Sequence, residues 1–163
     1  MKKIILLGLL TAFTVLNAKS LSEALSNESN GQEPTRMVAF DPRYDGVRPQ
    51  WALSIAKSYI RILNTKRITY SANGFDCDDY ARGAASLIRE QASLRGWNAA
   101  AGMLHIQNDG MGVGHAQVIF AGSDGNVWRI EVTTSDPDEV VLMPYPLTDA
   151  ETEAGWVATT AWF

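Results

Sequence analysis

One thiol, two imidazoles and a run of carboxylates hold most of the reactive chemistry in this 163-residue chain. Cys77 is its single cysteine, set in Gly74-Phe75-Asp76-Cys77-Asp78-Asp79-Tyr80-Ala81. The free amides and the dipole at a helix start favour an anion, so a cysteine in the first helical turn is placed to ionise near neutral pH. Asp76, Asp78 and Asp79 suit the same helix start as capping charges, yet they repel a thiolate, which demands a cation or a protonated histidine nearby. His115 can meet that demand, because Gly114-His115-Ala116-Gln117-Val118 opens a strand-like stretch at its loop end. Glu131 follows on the next such stretch, in Trp128-Arg129-Ile130-Glu131-Val132-Thr133. Together these are nucleophile, base and orienting carboxylate: the imidazole takes the thiol proton and the carboxylate fixes its tautomer. Their target is an acyl carbon, and the resulting thioester goes to water or to an amine; the residues do not choose between hydrolysis and transfer. His105 lies on a strand without a partner motif and reads as a structural or surface residue.

Two helices and a set of strands must position these groups. Trp51, Ile55 and Tyr59, with Ala52, Ala56, Ile60 and Leu63 alongside, predict an amphipathic helix over residues 50–63. A second helix is predicted from Cys77 to Arg95, stopped by Gly96, with Tyr80, Ala81, Ala84, Ala85, Ile88 and Ala92 facing inward. The period then changes to two over residues 99–106, 116–121 and 127–133, and residues 140–143 and 157–162 read as further strands. One loop decides whether the candidate site assembles. If Ser123-Asp124-Gly125 is a three-residue turn with Gly125 left-handed, Gln117 pairs with Glu131, and His115 becomes its diagonal neighbour on a polar face with Gln117 and Arg129. A two-residue turn would put His115 and Glu131 on opposite faces. The expected class is α+β: helices, with the cysteine at a helix N-terminus, packed on an antiparallel sheet of four to five strands.

Composition narrows the setting. Lys2 and Lys3, the apolar run Ile4 to Leu16 and small residues near Ala18 read as a signal peptide over residues 1–18, its apolar run shorter than the roughly 20 residues a membrane helix needs. A periplasmic or secreted product without stable membrane insertion is expected, with a flexible leader over residues 19–36 and one domain over 37–163. Removing residues 1–18 takes the formal net charge from −4 to −6, and Arg61, Lys66 and Arg67 are too sparse to track a phosphate backbone, so nucleic acid is not an expected partner. An exported chain ordinarily pairs its thiols; a lone Cys77 asks for a reason, and reactivity is one. Trp51 and Trp97 are candidates to line an acyl groove. Phosphate-binding loops, paired-cysteine metal motifs and Gly-x-Ser-x-Gly elbows are absent from the sequence.

The Asp76-Cys77-Asp78-Asp79-Tyr80-Ala81 run, the helix ending at Gly96, Gly114-His115-Ala116 and Trp128-Arg129-Ile130-Glu131-Val132-Thr133 resemble, in order and spacing, the transglutaminase-like superfamily of papain-like thiol enzymes. The resemblance covers roughly Asn73 to Thr134. It implies a papain/transglutaminase-like fold, with Cys77 as nucleophile, His115 as base and Glu131 as acid, in a cysteine peptidase or amidase acting on a protein or peptide; separately, a monomer is expected. Two positions depart from the pattern: Gln117 stands where the family usually has an aromatic residue, and Glu131-Val132-Thr133 where it usually has Asp-Pro-Thr. The exported bacterial cysteine proteases of this superfamily carry a similar acid-Cys-acid-acid run and are associated with calcium, which by resemblance makes Asp76 and Asp78 candidate calcium ligands. No other cofactor is expected. Two further readings remain: a papain-superfamily amidase acting on peptidoglycan peptides, and a non-catalytic binding or inhibitor module in the envelope.

Overall fold

Pro49 begins the first helix at a position where the missing backbone donor costs nothing and the ring's fixed φ is already helical. The computed structural model describes residues 15–17, 36–38 and 43–163, with side chains from Tyr44 onward. Helix α1 spans Pro49–Thr65 and buries Ala52, Ala56, Ile60 and Leu63. Helix α2 spans Cys77–Ser93 and starts with a capping box: the Asp78 N–H donates to Asp76 Oδ1 at 3.1 Å, and the Asp76 N–H donates to Asp79 Oδ2 at 3.4 Å. Three residues after α2 the chain turns away at Gly96, with φ +75°. The inward residues expected of α2 are all buried, and its alanines let it lie close against the sheet. A short helix, α3, spans Asp149–Glu153.

Among the described residues, eight strands accompany these helices: β1 (Val15–Asn17), β2 (Arg36–Val38), β3 (Arg43–Asp45), β4 (Ala101–Asn108), β5 (Val113–Ala121), β6 (Val127–Glu131), β7 (Val141–Pro144) and β8 (Trp156–Trp162). β1 and β3 form a small antiparallel pair. The main sheet has the order β2-β8-β4-β5-β6-β7, antiparallel except for the parallel pairing of β2 with β8. The expected antiparallel sheet of four to five strands is therefore corrected to a mixed sheet of six. The extra strand comes from a three-residue segment, Arg36–Val38, too short to show an alternating pattern, and its pairing is with the far end of the chain.

The sheet is covered on both faces. On one, Ile60, Ala84 and Ile88 of the helices meet Ala116, Val118, Phe120 and Ile130. On the other, a second cluster joins Leu104, Ile106, Ile119 and Val127 to Tyr145, Leu147 and Phe163. The face read as polar is thus largely a second core, sealed by the chain after β7. The segment read as a signal peptide and most of the leader lie outside the described residues, apart from β1 and Arg36. Among the described residues, no helix is long and apolar enough to cross a membrane.

Candidate active site

The turn between β5 and β6 sets the geometry. Gly125 has φ +86°, Gly122 N–H donates to the Asn126 carbonyl at 2.7 Å, and Ala121 pairs with Val127, Phe120 with Trp128 and Val118 with Ile130. This is the three-residue turn, and its register puts His115 and Glu131 on one face. His115 Nε2 lies 2.6 Å from Glu131 Oε2. A carboxylate can only accept there, so Nε2 carries the proton and Nδ1 is left as the basic nitrogen. Both side chains are about three-quarters buried, and Trp156 stands edge-on to the imidazole with ring centroids 6.5 Å apart.

Glu131 is anchored at both oxygens. Oε2 also accepts from Gln117 Nε2 at 3.2 Å, and Oε1 accepts from the Thr133 N–H at 2.8 Å. Burial alone would raise its carboxyl pKa; the hydrogen bond and charge of His115, with the donors of Thr133 and Gln117, outweigh burial and hold it below the usual carboxylate range. It is the ionised form that the site binds.

Cys77 opens α2 at its first residue, half-buried. The backbone of Ala116, the residue after His115, acts on its thiol as a donor, which sets Cys77 near the start of β5. The helix-start expectation of an easily ionised thiol is not met. Burial pushes the thiol pKa up, and the charges of Asp78 and Asp76 push the same way, while the backbone groups of Ala116 and Asp78 pull it back; the balance is upward. Sγ also lies 3.8 Å from Asp78 Oδ1, a poor neighbour for a thiolate.

Asp76 and Asp78 do stand together as the calcium reading requires: one ligand atom from each, and the thiol, lie within 4.8 Å of one another. Asp76 Oδ1 is occupied as the helix cap. Two carboxylates supply few of the six to eight oxygens that calcium takes, so a cation held here would keep mostly water ligands. The fit is that of a weak, half-exposed site. His105, read as a bystander, sits at the same helix end, with Nδ1 4.0 Å from Asp78 Oδ1.

Three polar residues behind Glu131 complete the arrangement. Arg129 is fully buried. It donates to Gln117 Oε1 at 2.9 Å, forks onto Glu151 at 2.9 and 2.8 Å, and reaches the Pro144 carbonyl at 3.0 Å. Glu151 caps α3 through Thr148, and despite burial these partners pull its carboxyl down to about 2. Gln117 and Arg129 share the period-two face of Glu131, and Thr148-x-x-Glu151 is a capping-box signature; those two sequence signals together point to this network. Trp51 and Trp97 are not part of the site. They meet edge to face, ring centroids 6.0 Å apart, in a cavity of about 320 Å³ with Asp45, Arg48 and Arg95. Trp97 follows the C-terminal end of α2, and a 17-residue helix separates it from Cys77 by about 25 Å.

No family model and no curated protein matches the chain. Solved structures do. A Polyporus squamosus lectin, determined with the human-type influenza-binding epitope Neu5Aca2-6Galb1-4GlcNAc, superposes with a TM-score of 0.64 at 13% identity, over 91% of this chain and 49% of the lectin chain. A second structure, the PSL1a-E64 complex, gives a TM-score of 0.65 at 14% identity, over 91% of this chain and 51% of that one. The chain spans about half the length of each, and at such identities the likeness is one of fold alone. The expected papain/transglutaminase-like fold is corrected accordingly: the motifs that suggested it are local, whereas the path of 91% of the chain is the one seen in these two structures, a lectin among them.

Proposed function

We propose that the chain is a thiol enzyme acting on amide bonds, with Cys77 as nucleophile, His115 as base and Glu131 as the residue that orients His115. The observation that carries this reading is the 2.6 Å contact of His115 Nε2 with an ionised, doubly anchored Glu131, which leaves Nδ1 basic on a residue adjoining the sulfur's backbone partner, Ala116. Nδ1 takes the Cys77 proton, the thiolate adds to the acyl carbon, and the imidazolium returns the proton to the leaving amine. Water then releases the acyl group in a peptidase or amidase. That one chain of the same fold was solved as an E64 complex supports testing an electrophile of this kind. Calcium at Asp76 and Asp78 would supply positive charge beside the thiol, and its carboxylates are this chain's means of holding it. The test is labelling of Cys77 by E64, an epoxide, and by iodoacetamide across pH. Labelling lost in His115→Ala and weakened in Glu131→Gln supports the triad; an ordinary thiol indifferent to both substitutions sinks it.

A second reading, glycan binding, is favoured by one observation. The Trp51 and Trp97 rings, with Asp45, Arg48 and Arg95, line a cavity that offers aromatic faces and charged hydrogen-bonding groups together, and a lectin of this fold was solved with a sialylated trisaccharide. Titration with that trisaccharide, followed by Trp fluorescence in wild type and Trp51→Ala, separates this reading from the enzyme.

A further inference from the structure

A groove lies against α2, beyond the first turn that carries the thiol. Asp78, Arg82, Ala85 and Arg89 follow one another at spacings of four, three and four residues, which places them on one face of the helix. Opposite stand Met103 and His105 of β4, and Trp162 of β8, which pairs with Met103 across the sheet. The thiol end of this stripe is fixed by contact: Asp78 Oδ1 lies 3.8 Å from Cys77 Sγ and 4.0 Å from His105 Nδ1. Farther along, Arg82, Ala85, Arg89, Met103 and Trp162 line a cavity of about 340 Å³. Its floor is apolar and its helix wall carries two exposed guanidinium groups, although the chain as a whole has a net charge of −4. Arg82 is partly engaged by Asp79 at 3.3 Å; Arg89 has no partner among the described residues.

We propose that this groove binds an extended acidic peptide and so sets the substrate class of the Cys77 site; the inference rests on the thiol-enzyme reading above. Charge complementarity selects the occupant: two guanidinium groups over an apolar floor take carboxylate side chains flanking an apolar residue. Spacing sets the register. Arg82 and Arg89 stand five and twelve residues along α2 from Cys77, about 7.5 and 18 Å at 1.5 Å per residue. An extended peptide advances about 3.3 Å per residue, so its acidic side chains belong about two and five residues from the scissile bond. Next to that bond Asp76 and Asp78 repel acids, so the adjoining residue is neutral or basic. An apolar residue between the two acids rests on Met103 and Trp162.

The test uses quenched fluorescent peptides carrying Glu at both positions, with matched Gln and Lys versions, on wild type and the Arg82→Glu/Arg89→Glu variant. Wild type should prefer Glu over Lys by about tenfold in kcat/KM, and the variant should reverse the order. Ratios within one enzyme cancel any general effect of the substitutions on the thiol. Equal rates for the three peptides in wild type, or an unchanged preference in the variant, overturn the proposal. If no peptide is cleaved, fluorescence anisotropy on the Cys77→Ala full chain decides: Glu-peptide binding that is lost in the Arg82→Glu/Arg89→Glu background keeps the groove while the hydrolase reading fails, and no preference for the Glu peptide overturns the groove itself.

Discussion

Arg129 donates to the side-chain oxygen of Gln117 at 2.9 Å, and that bond decides which way the Gln117 amide faces. Arginine has only donors, so the oxygen must turn toward it and the NH2 must turn toward Glu131. The fully buried cation thus fixes the carboxylate two bonds away without touching it.

Gln117→Met should keep the fold and loosen Glu131. It removes one donor from a charged acceptor, a bond of the kind worth about 1.5 to 3 kcal/mol. Iodoacetamide labelling of Cys77 near pH 7 should slow by about tenfold at the low end of that range, with an unchanged circular dichroism spectrum. Unaltered labelling would show that Thr133 and His115 suffice to hold Glu131.

Arg129→Met should be among the most damaging single changes, because it strands Glu151 in a largely buried place. Removing one partner of a buried pair costs about 3 to 5 kcal/mol, whereas replacing both with apolar residues is often close to neutral. Urea unfolding of Arg129→Met and of Arg129→Met/Glu151→Met checks both limbs. The same pair predicts acid behaviour. Glu151 has its carboxyl lowered from 4.5 to about 2, so its contribution to stability is complete above the unfolded value of 4.5 and is lost as pH falls toward 2. In Glu151→Gln the pH dependence of unfolding in that window should weaken, leaving the part that Glu131, also held below the usual carboxylate range, supplies.

Asp78→Asn should make Cys77 more reactive at lower pH. Burial, then Asp78, then Asp76 hold the thiol above its ordinary value, so it stays protonated to a higher pH than a free cysteine. Removing the Asp78 charge lowers the midpoint of the alkylation curve. Calcium added to wild type should shift the curve the same way and have no such effect in Asp78→Asn. A midpoint indifferent to both changes would show that burial alone sets the thiol.

How much of this was legible in the residues differs from element to element. The helices at Pro49–Thr65 and Cys77–Ser93, and the turn that brings His115 to Glu131, rest on local signals: an amphipathic repeat, a capping box, and a Gly at the one turn position that needs positive φ. Arg36–Val38 gave no such signal, since three residues cannot show alternation and their partner lies over a hundred residues away. The burial of Arg129 was hidden for a related reason: its cover is the segment around Glu151, and only the tertiary path of the chain after β7 brings it there. The overall chain path was misread because three short motifs in order constrain the site and leave the outer strands free.

Gly83→Ala tests whether the packing of α1 against α2 sets the position of the nucleophile. On helix propensity alone the change should stabilise by up to about 1 kcal/mol. Yet a Cβ at Gly83 would fall 1.9 Å from the Tyr59 hydroxyl oxygen and 2.3 Å from its ring carbon, so the ring or the helix must move. Tyr59 cannot yield freely, because its hydroxyl donates to the Asp79 carbonyl at 3.4 Å, within the first turn of α2 that carries Cys77. Overpacking of this kind costs about 1 to 3 kcal/mol, so a net loss of stability is expected together with slower Cys77 alkylation. Tyr59→Leu in the same chain removes the clash and should restore stability toward wild type. If Gly83→Ala instead stabilises the protein and leaves alkylation unchanged, the two helices can slide apart without disturbing the thiol, and its placement depends on the sheet contact at Ala116 alone.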